Sequence, residues 1–288
     1  QQIPSKGFIG RKMRELFTPE DGCVWGSFDY SQQEPRIVVH YAIKLGLPGT
    51  TDLKNEFDKE DADFHQIVAD MAKISRTQAK TINLGLFYGM GKLKLQAELG
   101  LDRMGAKKLF DEYHAKVPFV RQLSQDLIEF ASDNRLLFTL HDRFCRFDKF
   151  ETTDKHWNNE TNRFDPVPLY TEEKAKQAYQ AEVTEKYKDD KIPADYMKHF
   201  DRHYVPAFTY KALNRLIQGG AADMTKKAMV DLYEKGILPQ IQIHDELCLS
   251  IKDDKQAMEV KETMENAISL EVNNKTNYKQ GKNWGSIK

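Results

Sequence analysis

Residues 237–251 read Ile-Leu-Pro-Gln-Ile-Gln-Ile-His-Asp-Glu-Leu-Cys-Leu-Ser-Ile, with apolar and polar residues alternating on both sides of His244-Asp245-Glu246. A period of two marks a strand, and its break at three polar residues predicts two short strands joined by a tight turn. Asp245 and Glu246 would then stand at the tip of a hairpin. A third short apolar run, 23–28, also reads as a strand. It ends at Asp29 and leads into a helical segment over 36–43. Pro35 is tolerated there, because the first turn of a helix has no internal N–H bond to lose. A lone Asp at a strand end is usually a turn former. Asp29 and Asp245, however, both suit an exposed edge of one antiparallel sheet. Helical patterns fill most of the chain between them, and the expected fold class is α+β.

Between the strands, 60–74 has helical spacing, with Phe64, Ile67, Val68, Met71 and Ala72 on one side and His65 beside that face. Ser75 is a fitting N-cap for the next helix. On it Arg76, Lys80, Leu84 and Tyr88 recur every four residues and form one drifting stripe. Two cations, an apolar residue and a phenol could take a nucleotide lengthwise, triphosphate first. They could equally be a solvated basic turn followed by core. Gly89-Met-Gly91-Lys92 ends the pattern and lacks the Ser or Thr of a phosphate-binding loop. Two helices are expected in 103–135, divided near Val117-Pro118. The polar stretch 148–206 reads as an insertion with little core of its own, apart from a helix over 171–187. A helix over 207–233 carries Asn214, Arg215 and Gln218 ahead of Gly219-Gly220, and a last one covers 254–272. His141-Asp142 looks like a second acidic tip, but it follows a helical pattern and lacks a second flanking strand, so it is set aside as a metal site.

Composition narrows the function. Forty-three Lys and Arg against 44 Asp and Glu leave a net charge of −1 in 288 residues, so any nucleic-acid contact must come from local clusters such as Lys6, Arg11, Lys12 and Arg14. The three cysteines, at 23, 145 and 248, make no CxxC pair, which argues against a disulfide framework or a zinc knuckle. No apolar run approaches the roughly 20 residues of a membrane span, and no signal peptide is recognisable. A chain that begins with Gln rather than Met is expected to be part of something longer.

Two carboxylates brought to one sheet edge repel unless divalent cations sit between them. A pair of Mg²⁺ ions about 3.5–4 Å apart is the known arrangement for in-line phosphoryl transfer. The Arg76/Lys80 stripe would then hold a triphosphate leaving group.

In this order the motifs resemble those of the family A DNA polymerases, the bacterial polymerase I and phage replicative type. They are Asp29-Tyr-Ser-Gln-x-Glu34-x-Arg36, then Arg76-x-x-x-Lys80-x-x-x-Leu84-x-x-x-Tyr88-Gly89, then His244-Asp245-Glu246. Gln1-Gln-Ile-Pro4, His65, Asn214/Gln218 and the Gly-Lys-Asn-Trp ending add to the likeness, which leaves only 148–206 unmatched. The resemblance implies a palm with an antiparallel sheet, from 1–46 and 207–288, and a mostly helical fingers region over 47–206. It implies that Asp29 and Asp245 bind two Mg²⁺ ions with the Tyr30 carbonyl, and that Glu246 is an auxiliary carboxylate. Arg76, Lys80 and His65 would contact the triphosphate, with Lys80 donating a proton to pyrophosphate. Gln32 and Leu84 would complete the nucleotide site, and Glu34 with Tyr88 would crowd the sugar 2′ position. Asn214, Gln218, Arg36, Arg143 and His244 would face the primer-template DNA.

The departures have consequences. Leu84 stands where the family usually has Phe or Tyr, which implies slower incorporation and altered discrimination against dideoxynucleotides. Pro35 replaces Leu, Lys6 and Tyr210 each replace Arg, and Asp142 replaces the Gly of a Gly-Arg loop. Thumb and exonuclease domains precede the Gln-Gln-Ile-Pro motif in the family and are expected to be absent here, and proofreading with them. The expected activity is template-directed addition of deoxynucleoside monophosphates to a primer 3′-hydroxyl, in the cytoplasm of a bacterial or phage-infected cell and away from any membrane. The alternative is a nucleic-acid-binding or assembly fragment that needs a separate thumb or exonuclease piece. A two-metal nuclease is a weaker third reading, since the triphosphate stripe would have no role.

Overall fold

A computed structural model describes residues 3, 7–50, 53–59, 62–87, 92–158, 160–161, 163–188 and 192–287. In chain order its elements begin α1 (Gly7–Glu15), β1 (Val24–Tyr30), α2 (Gln33–Lys44), α3 (Leu53–Phe57), α4 (Phe64–Ala72), α5 (Arg76–Phe87), α6 (Lys92–Glu98), α7 (Arg103–Lys116) and α8 (Pro118–Asn134). There follow β2 (Leu136–Phe138), β3 (Phe144–Arg146), β4 (Phe150–Thr152), β5 (Trp157–Asn158), β6 (Arg163–Phe164), α9 (Glu172–Tyr187), α10 (Phe200–His203) and β7 (Tyr204–Pro206). The chain closes with α11 (Ala212–Glu234), β8 (Ile241–Ile243), β9 (Glu246–Ile251), α12 (Asp254–Asn266) and β10 (Thr276–Gly281). The mixture of helices and antiparallel sheet is α+β, as expected.

The chain divides into two compact units. One comprises 1–123, 139–143 and 214–288; the other comprises 124–138 and 144–213. The first unit holds a four-stranded antiparallel sheet in the order β10-β1-β9-β8. Side chains alternate across it. Phe28, Tyr30, Leu247, Leu249 and Ile251 face a core completed by Ile37 of α2, Met224, Ala228 and Leu232 of α11, and Val260 and Met264 of α12. On the other face Trp25 and Cys248 pack with Trp284. Gly26 is required where β1 crosses the core, since a Cβ there would lie 2.7 Å from an Ile251 side-chain carbon.

Helices α3, α4, α5 and α7 belong to this same unit, and the boundary between the two units falls at 123–124. One reason is Gln32, whose amide spans from β1 to the start of α4. Its Nε2–H donates to the Ala62 carbonyl at 2.8 Å, and its Oε1 accepts from the Phe64 N–H at 2.8 Å. Phe64 then meets the rings of Phe57 and Phe87 at centroid distances of 5.8 and 5.9 Å. Caps set the helix starts. Asp63 accepts from the His65 and Gln66 N–H groups, and Ser75 and Gln78 bond reciprocally at the start of α5.

Two readings are corrected. Arg36, expected to face DNA, is buried at 1% exposure. Helix α2 is enclosed along most of its length, so this side chain turns inward over the Phe57 ring at 5.1 Å. There it donates Nε–H to the Ser31 carbonyl at 2.8 Å and Nη1–H to the Asn273 carbonyl. The second correction concerns 148–206, which has a core of its own. In the second unit Phe150, Ala175, Tyr179, Val183, Phe200 and Tyr204 are buried together, and β4 pairs with β7 to join the two ends of the stretch. The apolar members are few, spaced four apart on α9 or far apart in sequence, and charged neighbours mask them.

Removing the Arg36 guanidinium takes the donor from the Ser31 and Asn273 carbonyls and empties a buried site over the Phe57 ring. Arg36→Ala should therefore cost about 3 kcal/mol in urea unfolding and leave the salt dependence of any nucleic-acid binding unchanged. A surface phosphate contact would do the reverse, with stability within about 0.5 kcal/mol of the parent and a salt slope lower by about one.

Candidate active site

Register assembles the acidic cluster. Asp29, the penultimate residue of β1, lies directly opposite Glu246, the first residue of β9, so both side chains rise from the same face. Ile243 pairs with Glu246 across the β8–β9 hairpin, which leaves His244 and Asp245 as a two-residue loop. His244 takes the left-handed conformation, φ 55°, that such a loop demands. The Tyr30 N–H then donates to the Asp245 carbonyl at 3.4 Å and ties the end of β1 to this loop. Asp245 is thus at the tip, whereas Glu246 is already within the ladder. The Glu246 Oε1 accepts from the Ser27 hydroxyl and from Cys248 Sγ–H at 3.3 Å, which fixes its orientation.

Negative charge accumulates here. Partial withdrawal from water, then the charges of Asp245 and Glu246, push the Asp29 carboxyl up to about 6, against a smaller opposing pull from Lys279. Burial and Glu246 also raise Asp245, opposed by its own backbone hydrogen bond and by His244. Among the described residues no group of three or more His, Cys, Asp and Glu is arranged as a ready-made metal cage. The donors are hard carboxylate oxygens carrying uncompensated charge. That suits a cation which binds through one or two carboxylates and completes its shell with water and substrate phosphate.

Next to the cluster a groove of about 730 Å³ is lined by Gln32, Gln33, Glu34, Pro35, Gln218, Ala221, Ala222, Gln242, His244 and Asp245. It brings together four of the expected nucleotide and DNA residues, Gln32, Glu34, Gln218 and His244, beside Asp245. Asn214 lies one turn before Gln218 on α11 and is half-buried. Arg143 is half-exposed and ion-paired with the buried Asp223, and its Nη2–H donates to the Gly219 carbonyl at 2.9 Å. A Cβ on Gly219 would sit 2.5 Å from Thr139 Cγ2, so glycine lets the 139–143 turn lie against α11. That turn has strands β2 and β3 on both sides, which corrects the reason given for setting His141-Asp142 aside.

The basic stripe is built differently from its sequence pattern. Arg76 gives both Nε–H and Nη2–H to Asp63 Oδ2, at 2.9 and 2.6 Å. Lys80 is exposed, Leu84 is half-buried, and Tyr88 lies outside the described residues. His65 is buried, with its Nδ1 3.2 Å from the Asn83 amide nitrogen. Sequence reasoning missed Asp63, Asn83, Tyr113, Ser27 and Asp223. Asp63 had a usable signal, an acidic residue just before an apolar helical period. Asp223, buried on a helix, had none.

The Asp29 proton has a thermodynamic consequence. Its folded pKa lies above the unfolded value near 3.9, so the charge costs nothing below about pH 4, and the cost grows as pH rises through about 6. With metal chelated, Asp29→Asn should be more stable than the parent at pH 7.5, by about 1 kcal/mol once solvent screening is allowed for, and equally stable at pH 4. Calorimetry at the two pH values checks this; an equal or lower Tm for the variant at pH 7.5 would contradict it.

The family model for DNA polymerase family A matches residues 1–164 and 158–286. The chain is 31% identical over 327 residues to a DNA-directed DNA polymerase of Pseudomonas phage M6, covering 99% of this chain and 42% of that one. It is 27% identical over 301 residues to the DNA polymerase I of Caldicellulosiruptor bescii, covering 100% of this chain and 30% of that protein. The chain therefore spans well under half the length of these relatives. In fold it is similar to the POL domain of Pol1 from M. smegmatis, solved in complex with DNA primer-template and dNTP, with TM-score 0.67, 23% identity and coverage of 99% of this chain and 44% of that one. Three ordered motifs, a sheet that unites two of them at one edge, and a family match along nearly the whole length lead to one conclusion: the chain belongs to DNA polymerase family A.

Proposed function

We propose that this chain carries the template-directed nucleotidyl-transfer centre of a DNA polymerase, joining deoxynucleoside monophosphates to a primer 3′-hydroxyl and releasing pyrophosphate. The observation that carries the reading is the pairing of Asp29 with Glu246, which gathers three carboxylates beside an open groove. In this reading 1–46 and 207–288 act as palm, and the helices of 47–206 act as fingers.

Asp29 and Asp245, helped by the Tyr30 carbonyl, would hold two Mg²⁺ ions. Burial and the charges of Asp245 and Glu246 raise the Asp29 carboxyl, and the carboxylate share of that shift supports a cation there. Bound there, the ions would supply activation of the 3′-hydroxyl and neutralisation of the transferring phosphate. Glu246 is anchored by Ser27 and Cys248 and serves as an auxiliary charge. Arg76, Lys80 and His65 would steady the triphosphate, Lys80 would protonate the departing pyrophosphate, and Leu84 would lie against the incoming nucleotide. Glu34 in the groove, with Gln32 beside it, would close off the sugar 2′ position together with Tyr88. Gln218, Asn214, His244 and Arg143 would meet the primer-template, where minor-groove readout is nearly indifferent to sequence.

Primer extension with Mg²⁺ and deoxynucleotides tests this directly. The parent chain should extend, and Asp29→Asn and Asp245→Asn should each lose at least about 100-fold in rate while primer-template affinity is kept. Extension by Asp29→Asn at the parent rate would remove the proposal.

A further inference from the structure

Three helices meet at His65 in a buried hydrogen-bonded chain whose other two members, Asn83 and Tyr113, have no part in the chemistry above. His65 on α4 is 8% exposed, and Asn83 on α5 and Tyr113 on α7 are both fully enclosed. The Tyr113 hydroxyl bonds to Asn83 Oδ1, and Asn83 Nδ2 lies 3.2 Å from His65 Nδ1.

The direction of this chain is decided at its buried end. Among the described residues Asn83 Oδ1 is the acceptor available to the Tyr113 O–H. If the Asn83 amide were reversed, its NH₂ would face the phenol oxygen and the hydroxyl proton would have no acceptor. A buried polar group without a partner costs about 1–3 kcal/mol. Tyr113 therefore donates to Asn83, and Asn83 donates to His65. An imidazole whose Nδ1 accepts must carry its proton on Nε2.

We propose that Asn83 and Tyr113 are positioning residues that lock His65 as the Nε2–H tautomer, so that the ring meets a nucleotide's phosphate oxygens as a neutral hydrogen-bond donor. The phosphate ligand rests on the polymerase reading; the tautomer does not.

The surroundings agree. Burial lowers the His65 pKa, and the cations Arg76 and Lys80 on α5 lower it further, against Asp63 at the start of α4. Among the described residues the ring also meets the Asn83 amide and the Phe64 ring, with Tyr113 behind Asn83, and none of these carries charge at neutral pH. Protonating Nδ1 would also set an N–H against the Asn83 NH₂. A ring held in this way donates unchanged through neutral pH. The opposite tautomer would turn a lone pair on Nε2 toward the phosphate oxygens and repel them.

Long-range ¹H–¹⁵N spectra of the full chain labelled at histidine, with His65 assigned by comparison with His65→Gln, read the tautomer directly. The parent should show a protonated Nε2 and an unprotonated Nδ1. Tyr113→Phe, which removes only the hydroxyl, should give a mixture of the two tautomers. It should also raise the KM for deoxynucleotide about five-fold with kcat little changed, the equivalent of one hydrogen bond. Asn83→Asp, the same shape but only an acceptor, should reverse the tautomer to Nδ1–H and keep the ring charged to higher pH. An unaltered His65 signature in both variants would overturn the proposal, and Tyr113→Phe alone suffices if Asn83→Asp fails to fold. If the tautomer shifts as expected but the parent chain does not extend primers, the failure belongs to the polymerase reading.

Discussion

Everything in the site depends on the register of one pair of strands. Because β1 and β9 run antiparallel with Asp29 opposite Glu246, a residue near the start of the chain shares a face with one more than 200 positions later. The Tyr30 N–H bonded to the Asp245 carbonyl adds the third carboxylate. Side chains alternate with a period of two, so a slip of one residue would turn Asp29 into the core and Phe28 out of it. The apolar set of Phe28, Tyr30, Leu247, Leu249 and Ile251 against α2, α11 and α12 is what forbids that slip.

The same arrangement is locally unfavourable. Burial first, and then the neighbouring carboxylates, raise Asp29 to about 6, and in the absence of cations this is a cost in stability that the surrounding core must offset. Two features of that core bear on it. Arg36, buried between the Ser31 and Asn273 carbonyls, holds the segment after β1 against the segment before β10. Gln32 carries the link onward to α4. The Gln32 amide thus joins the end of β1 to the helix bearing His65. Both Arg36 and Gln32 belong to the same short motif as Asp29.

Much of this was legible from local patterns. A short apolar run located β1, alternation located β8 and β9, and the polar interruption located the hairpin loop to within a residue. Helical spacing, Ser75 and Val117-Pro118 located α4, α5, α7 and α8. What local pattern could not reveal was where a side chain goes once elements pack. Arg36 reads as a cation available to DNA because its enclosure depends on Phe57 and Asn273, the latter 237 positions away. Asn83 sits among apolar neighbours in a helical stripe, and only the approach of α4 and α7 gives its two polar atoms their partners. The core of 148–206 was hidden for a related reason. Six buried residues from four separate segments make it, diluted by a charged surface.

Under the proposed function Asp29 and Asp245 would share divalent cations at the edge that this register creates. Anomalous diffraction from Mn²⁺ in crystals of the chain with primer-template and a non-hydrolysable nucleotide measures this most directly. Metal should lie within bonding distance of both carboxylates. Metal bound to neither, with Asp29 and Asp245 left facing water, would contradict it.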